Sequence, residues 1–437
     1  MRRDRVFATI LSLAVSLACI GCSGTDGDDN DKNNKDKQKD QTPLELSKEM
    51  LGVGFHHGEA GALQEGGSPG KDVIDSVSKN FSTAFLHVQT YDEHAWKFGE
   101  WTNHPHPNAS SSDYRGLTFF KKNPGKGRFK PRVADLAEEV SGAFGKKAFA
   151  NFGIVLDFWR MRQDWYVRWD GNLEEDENLY GEGSYGFFRK SMTDSLITQI
   201  REAAAEHKPA YMVIGTDMGR LLAREDKPGL APDDFSNFKQ FYRAATAEIG
   251  KASRQTKVGA GFNWDHFARY VAPQYGPEKK GEVPSDETLA LAFERAILPF
   301  AEVGGVIALA SYRSAEGEAG YYEFLATLDD RFDLEETELI WYSIGSPVTS
   351  STSYRPQNTY LEKFIEWNKG VEPEIVAWRS LLNIDGADRA NQMIGGRCKQ
   401  LIDNKKFQLD KHHCFDGLYT TLLQSKDVYD SIVSETK

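Results

Sequence analysis

Cysteine is scarce in this sequence, basic charge is not in excess, and no apolar run is long enough to cross a bilayer. Each absence narrows the function. Four cysteines occur in 437 residues; two lie near the start, and the other two, Cys398 and Cys414, have no partners at metal-ligand spacing, which argues against a thiolate zinc site. The formal charge is −12, from 53 Lys and Arg against 65 Asp and Glu. Basic clusters are confined to the leader and to short surface runs, so the phosphate-neutralising face of a nucleic-acid binder is missing. The apolar run from Phe7 to Ala18 is about a dozen residues, well short of the ~20 that a membrane-spanning helix needs. The glycine-rich phosphate loop of an open doubly wound sheet is also absent, because "HHGEAGALQEGG" after the first apolar strand lacks its spacing. Nothing here calls for a cofactor or a resident metal.

What is present begins with a leader. Arg2, Arg3 and Arg5 precede the apolar run, which closes on "ACIGC", the build of a secretory signal. This segment resembles the lipobox of bacterial lipoproteins, with Gly21 before the cut and Ser23 after it, although Cys19 stands where leucine is commoner. The resemblance implies a signal peptide over residues 1–22, a diacylglyceryl thioether on Cys22 and a place at the bacterial cell envelope. Membrane contact would then run through the lipid anchor only. From Ser23 to Gln41 there is no apolar side chain, so residues 23–43 cannot offset the cost of ordering and read as a solvated tether. Aspartates recur there, but without the Gly and closing Glu of a calcium loop. In an exported chain, Cys398 and Cys414 are the candidate pair for a disulfide.

Residues 44–437 alternate apolar runs of strand length with helical patterns. The runs are "MLGVGFHHG", "STAFLHVQT", "FANFGIVLDFW", "AYMVIGTDM", "KVGAGFNW", "GVIALASY", "ELIWYSIG" and "EIVAWRSL". They are continuous rather than alternating, as parallel strands buried on both faces are. Between them, Phe235, Phe238, Tyr242, Ala245 and Ile249 recur at helical spacing. Ser285 ahead of Asp286 and Glu287 marks a helix start, and Gly370 marks a stop. Eight such alternations predict an α/β fold, a single (β/α)8 TIM barrel. Two long insertions, over 97–130 and 160–186, follow strands and so belong to the carboxyl-end face.

Side chains at the strand ends of a barrel share one mouth. They are predicted to be His56, His57 and Glu59; Asp92, Glu93 and Trp96; Asp157 and Trp159; Thr216 and Asp217; Asn263, Trp264, Asp265 and His266; Tyr312 and Arg313; Ser343; and Trp378 and Arg379. Carboxylates with several indoles around one mouth suit a carbohydrate partner. Sugar faces stack on aromatic rings, and carboxylates bind hydroxyls or serve as acid and base. A metal-dependent barrel hydrolase is the weaker alternative, with His104 and His106 or the pair His56 and His57 starting a ligand set.

These motifs together resemble the clan of retaining (β/α)8 glycoside hydrolases, and most of all the arabinogalactan endo-β-1,4-galactanases. "LDFWRMRQDWY" is similar to the clan's third-strand end, "ALASYRS" to its sixth and "CFDGLYTT" to its closing segment. Gly215-Thr216-Asp217 stands where the clan has Gly-Asn-Glu, so the resemblance implies Asp217 as the acid/base. "YSIGSPVT" matches around the nucleophile, with Ser343 in place of its glutamate. The expected function is therefore a cleft that binds sugar without hydrolysis, through Trp96, Trp159, Thr216, Asn263, Trp264, Tyr312, Arg313 and Trp378. The alternative is hydrolysis by Asp217 with a relocated acid, drawn from Asp157, Asp265 or Glu316.

Overall fold

All eight apolar runs form strands, and the strands close on themselves. The computed structural model describes residues 43–56, 59–89, 129–157, 190–222, 234–279, 281–312, 320–334, 336–346, 355–382, 417–419 and 424–436. Strands β1 (Leu51–Phe55), β2 (Thr83–Gln89), β3 (Asn151–Asp157), β4 (Tyr211–Ile214), β5 (Lys257–Asn263), β6 (Val306–Ser311), β7 (Glu338–Ile344) and β8 (Ile375–Trp378) run in sequence order around a closed barrel. Every neighbouring pair is parallel, including β1 with β8. The predicted (β/α)8 barrel is the observed fold.

Alternation along each strand separates two cores. Phe85, Val155, Tyr211, Val213, Ala308, Tyr342 and Ala377 fill the barrel interior. Their neighbours Leu86, Ile154, Met212, Ile214, Leu309, Trp341 and Val376 join the core under the helices. This period of two is what a closed sheet demands. Large inner rings need small residues opposite. A Cβ at Gly153 would lie 2.4 Å from the Phe85 ring, and one at Gly261 would lie 2.8 Å from the Tyr342 hydroxyl. At the amino-end of the barrel, Tyr211 donates to Glu338 across 3.0 Å, and Lys257 pairs with the same carboxylate.

The helices obey their sequence signals. In Asp234–Ala252, Phe235, Phe238, Tyr242, Ala245 and Ile249 are all buried. Ser285 accepts the Thr288 N–H at the start of helix Asp286–Ala296. Gly370, just beyond helix Arg355–Trp367, takes φ +72°, open to glycine at little cost. Helix Asp427–Glu435 returns to the second helix, Gly67–Asn80. There the Tyr429 hydroxyl bonds Ser76 and Asn80, and its ring stacks on Phe81. No helix among the described residues is long and apolar enough to cross a membrane.

β7 departs from regularity. Leu309 pairs with Trp341 but Ala310 pairs with Ser343, so Tyr342 is an extra residue, and the register with β8 shifts over the same stretch. A bulge of this kind re-aims the side chains that follow it.

Candidate functional site at the barrel mouth

β4 ends in a strained turn. Gly215 has φ +80° and Asp217 φ +49°. The second is a left-handed conformation that non-glycine residues rarely hold without support. Support comes from β5: the Met218 N–H donates to the Gly261 carbonyl across 2.8 Å. The absent Cβ at Gly261 leaves room for the Gly215 carbonyl, which it would meet at 2.3 Å. Asp217 is 8% exposed, and its Oδ1 lies 3.4 Å from Nδ1 of His266. His266 closes the short turn Trp264–His266 after β5, where the Asn263 side chain accepts its backbone N–H at 3.2 Å. A carboxylate and an imidazole thus face each other across the β4–β5 edge, with Thr216 half-buried beside them.

The same turn sends its other two residues away from the mouth, which corrects two expectations. Trp264 is 0% exposed, stacked between Phe267 and Phe324, with its indole N–H donated to the Tyr321 carbonyl. Both ring faces are taken, so it cannot stack on a sugar. Asp265 accepts from Ser311 Oγ (2.8 Å), Tyr322 Oη (2.7 Å) and Tyr312 N (3.2 Å). Tyr360 joins through Ser311. Ser311 alternates with the inward Ala310, so this network lies between the barrel wall and the helices. Burial, with Asp265 nearby, pushes the Tyr322 and Tyr360 phenols well up. Asp265 is thus held within this network rather than set against Asp217.

Trp378 is corrected as well. It follows the inward Ala377 and belongs to the core under the helices, edge-on to Tyr360 and 1% exposed. Ser343 is fully buried, and its hydroxyl has no hydrogen-bond partner among the described residues. It sits in the bulge of β7.

The β8–β1–β2 side carries groups that the sequence only half revealed. His56 and His87 stack with centroids 4.8 Å apart and planes 25° apart. Alternation with the inward Phe85 gives His87 away in "FLHVQ", a signal that was available in the sequence and not used. The Arg379 guanidinium lies 4.9 Å above the Tyr312 ring, and both residues are half-buried. Glu59, expected in the open mouth, is instead sealed between the ends of β1 and β8. It accepts from His56 N at 2.9 Å, and Ser380 Oγ lies 2.6 Å from its other oxygen. Burial pushes its carboxyl up to about 8.

The remaining predictions fall outside the described residues: the leader with Cys22, the tether, both insertions, Trp96, Trp159, Arg313, Glu316, Cys398 and Cys414. His57, Asp92, Glu93, His104 and His106 fall there too. Asp157 ends β3, one residue beyond the Leu156–Ile214 pairing, at the level of Gly215. Among the described residues, no group of three His, Cys, Asp or Glu is placed to hold a metal.

No protein family matches the chain, and no curated protein sequence does. Solved structures of similar fold include glycoside hydrolases. The exo-β-1,4-mannosidase Op5Man5 from Opitutaceae bacterium strain TAV5 is 10% identical with a TM-score of 0.48. The match covers 88% of this chain but 59% of that enzyme, so the chain spans less than two thirds of its length. A psychrophilic family 10 endo-β-1,4-xylanase is 9% identical with a TM-score of 0.47, over 88% of this chain and 96% of its own. The β-glycosidase of the hyperthermophile Thermosphaera aggregans is 11% identical with a TM-score of 0.46, over 90% and 97%. At such identities the likeness is one of fold alone. The class that the topology defines is a (β/α)8 barrel.

Proposed function

We propose that the barrel mouth binds a carbohydrate without retaining hydrolysis, on a protein held at the bacterial cell envelope by a lipid on Cys22. The observation that carries the reading is Ser343. It occupies the place where the motif resemblance puts the nucleophile, yet it is fully buried. Retaining hydrolysis needs two carboxyls ~5–5.5 Å apart. A hydroxyl sealed from solvent supplies neither the charge nor the access. What the mouth offers instead is a binding surface: the Asp217 carboxylate as acceptor, Thr216 for hydroxyls, and Tyr312 with Arg379 as an aromatic and polar wall. Screening the full chain on a glycan array, with product analysis for each hit, tests this. Binding with no product is expected, and release of a sugar with retained configuration would overturn it.

The register of β3 and β4 favours a second reading. Asp157 ends β3 one residue past the Leu156–Ile214 pairing, and an inverting enzyme works with two carboxyls ~6.5–9.5 Å apart. Product of inverted configuration, lost in both Asp217→Asn and Asp157→Asn, would establish it.

A further inference from the structure

The mouth has two halves of unlike chemistry. Asp217 and His266 face each other on the β4–β5 side. On the other side, Arg379, His56 and His87 rise from the neighbouring strands β8, β1 and β2. Gly54 makes their approach possible. A Cβ there would lie 2.0 Å from the Arg379 carbonyl oxygen and 2.8 Å from His87 Nε2. The two imidazoles are 5% and 9% exposed and stacked face to face. Among the described residues, Tyr312, just past β6, lies under the Arg379 guanidinium, and the buried Glu59 of helix Glu59–Glu65 accepts the His56 backbone N–H.

Two imidazolium ions at this separation, away from water, repel each other, and burial disfavours each charge in addition. An anion entering beside the pair offsets both penalties. Arg379 remains cationic throughout and presents a fork that fits carboxylate or sulfate oxygens. The chain as a whole carries −12 and gives an anion no long-range attraction, so recognition falls to this patch.

We propose, resting on the carbohydrate-binding reading above, that the site selects an acidic saccharide, whose carboxylate or sulfate lies against Arg379 and the His56–His87 pair. The sugar ring packs beside Tyr312, and its neutral hydroxyls reach the Asp217 side.

Calorimetric titration of the full chain tests this with four probes: tetragalacturonate, its methyl ester, a sulfated galactan tetrasaccharide and its desulfated form. The acid should bind at least tenfold tighter than its ester, or the sulfated form tenfold tighter than the desulfated. Whichever anion wins identifies the source of the charge. Arg379→Gln should cut the preference to less than twofold. The ester comparison uses the wild type alone, so a variant that misfolds does not blunt it. Equal affinity for charged and neutral forms, or tighter binding of the neutral ones, overturns the proposal while leaving a carbohydrate site standing. Binding of none of the four overturns it together with the reading on which it rests.

Discussion

Replacing Glu59 with glutamine should make the fold less sensitive to alkali, and the hydrogen bonds around it say why. Ser380 Oγ lies 2.6 Å from Glu59 Oε1 and 2.8 Å from the Leu382 carbonyl. A serine has one proton to give, and the carbonyl can only accept. The arrangement closes when a neutral Glu59 donates to Ser380, which donates to Leu382, while Oε2 accepts from His56 N. Burial, the largest influence, raises the carboxyl from 4.5 to about 8. The folded protein thus keeps a proton that the unfolded chain has lost, and its stability falls as pH rises. The contribution is complete below about 4.5 and is lost by the time the pH passes about 8. The gap between the two values corresponds to about 5 kcal/mol over the whole window, most of it between pH 5 and 8. Glutamine is neutral at every pH in the range: its amide donates to Ser380 and its oxygen accepts from His56 N, while the Leu382 N–H, 3.4 Å from Oε1, loses its acceptor, a pH-independent cost. Urea unfolding of both proteins at intervals from pH 5 to 8 should show the variant gaining on the wild type by about 3 kcal/mol. Parallel profiles would refute the reasoning. Glu59→Ala serves as a control: its profile should flatten in the same way but lie about 1–3 kcal/mol below that of the glutamine variant at every pH, because the His56 N–H loses its acceptor.

Trp264→Ala should lower stability by about 3–5 kcal/mol in chemical denaturation and leave the affinity of folded protein for any bound saccharide unchanged; a selective loss of affinity would return the indole to the site. Asp217→Asn should weaken saccharide binding about tenfold, measured by calorimetry, with little loss of stability because asparagine also tolerates the left-handed backbone; unchanged affinity would remove Asp217 from the site. Labelling cells with a fatty acid should mark the wild type and not Cys22→Ser, and equal labelling of both would sink the anchor.

The barrel was legible because its strands are buried on both faces and so write continuous apolar runs. Which strand-end side chains reach the mouth was harder to see. "NWDH" reads as a strand end, yet Asn263 caps a turn and the chain coils at once, turning Trp264 and Asp265 into the wall and leaving His266 beside Asp217. Trp378 could have been placed by counting back through the small inward Ala377. The bulge in β7 could not, since nothing in "IWYSIG" marks Tyr342 as the extra residue. Glu59 looked like a cleft acid because a lone carboxylate is costly to bury; its neutral form removes that cost, and only the packing of β1 against β8 reveals it.

The bulge at Tyr342 also bears on ancestry. If the chain descends from a hydrolase, restoring a glutamate at position 343 would not undo the loss. The new carboxyl would enter a spot with no solvent, where burial favours the neutral acid, and a neutral acid is no nucleophile. Recovery would also require position 343 to open to solvent. Such a barrel would be free to drift toward whatever its mouth binds, because that one substitution supplies no nucleophile.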